Sequence, residues 1–292
     1  MQYQYYMIIM KLKLGIIGAG GLIGSELIKF MNNNYDIRII KSEFLYVPAD
    51  LLSEKLSGLD IIINLAGYPI SGRWNKRKMK LIYNSRINTT RNLVHAISLM
   101  SVKPKHLINS SAIGIYGDNV ICDEYSDHFS GNFLARLVID WEKQASEVKD
   151  VYLTIIRTGV VLAKNGGAYT MLRRVFKAGA GGVIGGGKQG FSFILMDDMV
   201  RIFDFVIRKN IFGVINAVSP TPIDNKTFTQ ILSHNLNRPA FMPIPSVIIK
   251  LLYGKGSCVI LDGQKVMPAR LMENGFHFIG NNLEKCIQIL EK

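Results

Sequence analysis

The stretch Gly18-Ala19-Gly20-Gly21-Leu22-Ile23-Gly24 follows the apolar run from Leu12 to Ile17, and Ser25 to Met31 continues it with apolar residues at helical spacing. That order reads as strand, glycine turn, helix. Gly18 permits the tight turn, Gly21 lets a ligand approach the backbone, and Gly24 lets the helix pack on the strand. The exposed N–H groups of Leu22 and Ile23 then open the helix with a partial positive charge, which suits a pyrophosphate. The context makes this a dinucleotide-binding turn.

Further strands are expected at Ile37 to Ile40, Asp60 to Leu65, His106 to Ser110, Val151 to Arg157 and Gly213 to Ala217. Helices are expected at Ser85 to Leu99 and Phe133 to Val148. Near-continuous apolar strands alternating with helices predict an α/β fold: a Rossmann-type doubly wound parallel sheet. Prolines punctuate the chain after Ser219, which points to a smaller C-terminal lobe. The expected division is a dinucleotide-binding domain over 10–218 and a substrate-side lobe over 219–292, with crossings between lobes after 160.

The second strand ends at Ile40, about 20 residues beyond the turn, where an acid would bind the ribose 2′-hydroxyl and a base a 2′-phosphate. Lys41 and Ser42 stand there, followed by Glu43. Lys41 favours NADP(H). The alternative, NAD(H), has Glu43 holding the ribose and Lys41 as a plain surface charge.

Composition narrows the class. The chain has 292 residues, 48% of them hydrophobic, enough for one large domain and a smaller one. No apolar run reaches the roughly 18 residues of a membrane span, and no signal peptide is read, so neither membrane nor secretion is expected. Met7 or Met10 are alternative starts. Three scattered cysteines and five scattered histidines make no metal site and fit a reducing, cytoplasmic compartment. The net charge of +13 comes without a nucleic-acid motif. It reads as basic solvated faces that attract anionic small molecules rather than nucleic acid.

Ordered marks run along nearly the whole chain: Asn64 to Gly67, Arg73-Trp74, Ser85-Arg86-Ile87, Ser110-Ser111-Ala112 leading to Tyr116-Gly117, Trp141-Glu142, Arg157 to Leu162, Gly187-Lys188-Gln189, Asp197-Asp198, Arg238-Pro239 and Gly275-Phe276. In these the chain resembles the extended branch of the short-chain dehydrogenase/reductase superfamily. It is most similar to an atypical epimerase/dehydratase-like subgroup with a C-terminal domain of unknown function. The resemblance implies a cofactor lined by Asp50 near the adenine, then Leu65, Ala66 and Gly67. It also implies Ser110 beside the nicotinamide and Arg157, Gly159 and Val160 after the fifth strand.

One departure stands out. Most active relatives use a Tyr with a Lys four residues later on the long helix. Here that segment reads Phe133-Leu134-Ala135-Arg136-Leu137-Val138, and none of the twelve tyrosines has Lys four positions on. The remaining catalytic candidates are Ser111, Arg86 and Tyr116. Ser111 would polarise a carbonyl, Arg86 would clamp an anion bidentately, and Tyr116 would act as an alternative acid. Lys188 and Gln189, in a glycine-dense loop, would shape the substrate mouth. Asp198 is expected to cap a helix. The function expected is an NADP(H)-dependent oxidoreductase or epimerase-like enzyme acting on a carbonyl or hydroxyl carbon of a small, anionic substrate. The alternative is a non-catalytic protein that binds or senses NADP(H).

Overall fold

A computed structural model describes residues 11–118, 120–240 and 242–292, so the alternative starts Met7 and Met10 lie outside the described residues. β1 (Lys13–Ile17) leads through the glycine turn into α1 (Leu22–Met31), and β2 (Asp36–Ile40) returns beside β1. Next come α2 (Ala49–Leu56), β3 (Ile61–Asn64), α3 (Lys76–Ser98) and β4 (His106–Ala112). After the short β5 (Ile121–Cys122) follow α4 (Phe133–Ser146), β6 (Tyr152–Thr158), β7 (Val160–Leu162) and α5 (Gly167–Lys177). The chain continues through β8 (Gly190–Phe191), β9 (Phe193–Leu195), α6 (Met196–Lys209) and β10 (Gly213–Ala217). It ends with β11 (Ile223–Asp224), α7 (Asn225–Asn235), α8 (Ser246–Tyr253), α9 (Cys258–Leu261), β12 (Lys265–Val266), α10 (Ala269–Glu273) and α11 (Leu283–Glu291).

Six strands form one parallel sheet in the order β10-β6-β4-β3-β1-β2. The strand period of two sorts its core. Ile16, Ile63, Ile108, Ile156 and Ile215 pack against α1 and α6 through Leu27, Met199 and Phe203. Their neighbours Ile17, Ile62 and Leu107 pack on the other face with Leu52, Leu56, Leu93 and Ile97 of α2 and α3. Both faces are dry, which is why these strands read as unbroken apolar runs.

The helix α3 begins well before the expected Ser85. Asn75 caps it, its side chain accepting from the Lys78 N–H at 2.8 Å. The first turns, Lys76 to Lys80, are too basic to show an apolar period. A second core joins Leu162, Tyr169, Phe176, Phe193 and Leu195 to Phe228, Leu232, Leu283 and Ile287. The chain therefore leaves the sheet after β6, returns with α6 and β10, and leaves again. β7 pairs with β9 and β8 with β11. Asp198 does not cap a helix as expected. α6 starts at Met196, and the fully buried Asp198 carboxylate accepts from the N–H groups of Ile279 and Gly280 at 2.9 and 2.7 Å and from Arg201 at 2.6 Å. It fastens the C-terminal segment to the sheet layer.

Candidate cofactor and substrate site

The carboxyl ends of β1, β3, β4 and β6 converge where the sequence marks cluster. Gly18 has φ +84°, and a Cβ there would lie 2.8 Å from the Leu65 carbonyl carbon. The turn and the segment after β3 thus touch backbone to backbone. A Cβ on Gly24 would come within 2.4 Å of the Gly18 oxygen, so only glycine lets α1 start this close to β1. A Cβ on Gly20, by contrast, would meet nothing within 4 Å. Gly21 precedes α1 in extended conformation, with no side-chain cap and no acid in the helix's first turn. The free N–H groups at Leu22 and Ile23 therefore face an open, positively polarised end.

Leu65, Ala66 and Gly67 are held by a buried amide pair that the sequence reading missed. Asn64 Nδ2 donates to Asn109 Oδ1 at 2.8 Å, while Asn64 Oδ1 accepts from the Ala66 N–H at 3.2 Å. The signal was present: an Asn follows each of two apolar runs, Ile61 to Ile63 and Leu107-Ile108, and the two Asn residues pair in register. Lys41 extends into solvent 3.6 Å from Glu43, and Ser42 opens a short 3-10 turn. Asp50 is exposed in the first turn of α2.

Ser111 and Tyr116 are joined by one buried network. Ser111 Oγ donates to Glu142 Oε1 at 2.5 Å. Glu142 takes Arg157 side-on, Nε to Oε1 at 2.8 Å and Nη2 to Oε2 at 2.7 Å. Arg157 Nη1 donates to the Tyr116 hydroxyl at 2.8 Å, and that hydroxyl donates to Asn216 Oδ1 at 3.0 Å. Asn216 in turn gives its N–H to Glu124 at 2.8 Å. Burial alone would lower the Arg157 pKa, but the hydrogen bonds and charge of Glu142 outweigh it and raise it. Burial likewise raises the Tyr116 pKa, against the pull of Arg157. The Tyr116 phenol is fully buried, and its hydroxyl both donates and accepts within this network. Ser111 and Arg157 are buried in the same network. Trp141-Glu142 was among the ordered marks, yet nothing in the sequence shows that Glu142 pairs with Arg157.

Arg86 differs. Its Nη1 donates to the carbonyls of Tyr68 and Ile82, both at 3.1 Å, and its guanidinium lies over the Trp141 ring, 5.2 Å from the centroid. Among the described residues no carboxylate pairs with it. Burial lowers its pKa to about 10, and no acid offsets this. A desolvated cation lacking a counter-charge is poised to take an anion or a polarised oxygen.

The Ser110 carbonyl accepts from Asn109 Nδ2 at 2.8 Å. A Cβ on Gly159 would lie 2.8 Å from the Ser192 carbonyl oxygen, and Val160 gives its N–H to that oxygen at 2.9 Å. Both positions join the sheet to β9. Lys188 and Gln189 line a separate cavity of about 440 Å³ with Asp118, Asp224, Leu261 and Lys265. Gln189 is fixed by donating to Ile184 at 3.0 Å, whereas Lys188 is exposed. None of the residues lining that cavity belongs to the glycine turn or touches Arg86.

Comparison with known proteins places these features. Residues 14–217 match the NAD dependent epimerase/dehydratase family, and residues 244–290 match a domain of unknown function, DUF1731. The chain is 36% identical over 291 residues to the epimerase family protein SDR39U1 homolog, chloroplastic, of Arabidopsis thaliana, covering 92% of this chain and 83% of that one. It is 31% identical over 278 residues to the epimerase family protein SDR39U1 of Mus musculus, covering 90% and 94%. The crystal structure of human epimerase family protein SDR39U1 with NADPH superposes with a TM-score of 0.87 at 28% identity, over 96% of this chain and 99% of that chain.

Proposed function

This chain belongs to the NAD dependent epimerase/dehydratase family, and from that premise we propose that it is an NADP(H)-dependent oxidoreductase or epimerase-like enzyme whose substrate-side cation is Arg86. The cofactor's diphosphate would rest on Gly20, Gly21 and the open start of α1. Its adenosine end would lie toward Lys41, Ser42 and Asp50, and its far end along Leu65 to Gly67. The open space over Gly20 supports this fit. So does the similar human protein whose structure holds NADPH. When bound, the cofactor supplies hydride chemistry; the protein supplies orientation and polarisation.

The observation that carries the reading is Arg86 beside Gly67 at the end of β3, a half-buried cation with no carboxylate partner among the described residues. It would hold a substrate carboxylate, phosphate or carbonyl oxygen by hydrogen bonds. It stays protonated, so it polarises and does not exchange a proton. The α4 positions that would carry Tyr and Lys hold Leu134, facing Gly114, and the buried Val138. Substrates that need little proton assistance fit this site best. The test is consumption of NADPH by the purified chain across small aldehydes and ketones with and without a carboxylate or phosphate. Turnover confined to the anionic members, and lost in Arg86→Ala, is expected. Turnover indifferent to both would overturn the assignment of Arg86.

The sequestered Ser111 and Tyr116 favour a second reading, a protein that binds NADP(H) as a ligand and does not turn over. Tight NADPH binding with no consumption across the same panel would establish it.

A further inference from the structure

We propose that the face built from α8 and the segment before α3 docks on an anionic lipid surface. In α8, Val247 is 71% exposed, Leu251 70%, Leu252 59% and Ile248 47%. These four share one helix face by their three- and four-residue spacings, while Ile249 points inward and is buried. An isolated exposed leucine needs no explanation, but four apolar side chains on two turns form a patch.

The residues around the patch are basic. Arg73 donates to the Leu251 carbonyl, and the Trp74 N–H donates to the Tyr253 carbonyl at 3.0 Å, so the segment from Tyr68 to Lys80 is tied to α8. Arg73, Lys76, Arg77, Lys80, Lys250 and Lys255 are all exposed. Neither the stretch from Tyr68 to Leu81 nor that from Met242 to Ser257 contains an Asp or Glu. The exposed Tyr68 and Ile70 extend the apolar area. Asp262, whose carboxyl feels the Lys250 charge, is itself half-buried and 3.5 Å from Asn132 Nδ2.

An apolar stripe rimmed by cations that form no salt bridge among the described residues is the surface of an interfacial helix, which sinks its apolar side chains to headgroup depth. Charge decides between occupants. A second copy of this chain, face to face, would oppose one set of cations to the other. An anionic bilayer meets both the apolar and the basic part. The expectation of no membrane contact rested on spanning length, and no described helix is long and apolar enough to cross. Docking from one side needs no such length.

The test is cosedimentation of the full chain with phosphatidylcholine vesicles with and without phosphatidylserine, at low and high salt. Binding is expected only with phosphatidylserine, weakened by salt. It should fall about fivefold for each of Lys250→Glu and Lys255→Glu and be lost in Leu251→Asp with Leu252→Asp. Circular dichroism checks that the exposed variants stay folded. No binding to anionic vesicles, or equal binding to neutral ones, would overturn the proposal. So would self-association abolished by Leu251→Asp without vesicle binding, which would make the face a copy interface. Capture of an acidic peptide in place of vesicles would overturn it equally.

Discussion

The Arg86 guanidinium stands so close to Gly67 that a Cβ there would lie 3.0 Å from both Cζ and Nη2. The bare backbone of Gly67 thus makes room for a cation that has no acidic partner among the described residues. Gly67→Ala is expected to push the arginine aside, because the obstructing atoms are the end of a long side chain. Fold stability should change by less than about 1 kcal/mol, as for most substitutions that a flexible neighbour absorbs. Affinity for anionic substrates should drop. Comparing melting temperature with substrate titration checks this, and a large stability loss with unchanged binding would remove Arg86 from the site.

Ser111 and its network give the opposite pattern. Arg157→Met would strand the Glu142 carboxylate in the core and is expected to cost about 3–5 kcal/mol. Ser111→Ala, which removes one hydrogen bond to a charged group, should cost about 1.5–3 kcal/mol. Urea unfolding measures both. If Ser111→Ala leaves stability unchanged but lowers turnover, Ser111 is a catalytic residue and not a strut.

Lys41 is solvated and only loosely held by Glu43, so its worth to a 2′-phosphate is that of an exposed ion pair. Lys41→Ala is therefore expected to weaken NADPH binding by up to about fivefold and to leave NADH binding nearly unchanged. Equal losses for both cofactors would show that Lys41 does not read the 2′-phosphate.

His106 opens β4 inside the protein, 2.8 Å from Thr154 Oγ1 and edge-on to Phe212. Burial lowers its pKa from 6.5 to about 4. The unfolded chain therefore takes up this proton first as pH falls. Stability should decline from about pH 6.5 to pH 4 and then level off, by up to about 3 kcal/mol. His106→Leu should flatten that decline, because Thr154 keeps its bond to the Ile211 carbonyl. Denaturation midpoints across this range give the answer.

Local signals carried the fold. The glycine turn, the isoleucine-rich strands and their alternation with helices specify a parallel sheet, because each depends on neighbours in sequence. At the candidate site, what the sequence made legible is backbone geometry, because the close contacts at Gly18 and Gly24 follow from the glycine pattern itself. The site was illegible where partners meet across the fold. Glu142 and Arg157 are 15 residues apart, and Tyr116 and Asn216 are 100 apart, so no spacing rule links them. Asp198 looked like a helix cap because it precedes an apolar helical run, but its partners lie 81 and 82 residues on.

The central claim is that NADP(H) rests on the glycine turn and the open end of α1, and thermal unfolding with and without NADPH tests it most directly. The unaltered chain should gain about 2.7 kcal/mol at about 100 times the dissociation constant. Gly21→Val places its Cβ 3.3 Å from the Gly18 oxygen in an extended conformation that valine accepts. It should fold with nearly the same unliganded melting temperature and gain nothing from NADPH. No shift of the unaltered chain with saturating NADPH or NADH, or an equal shift in Gly21→Val, would contradict the account.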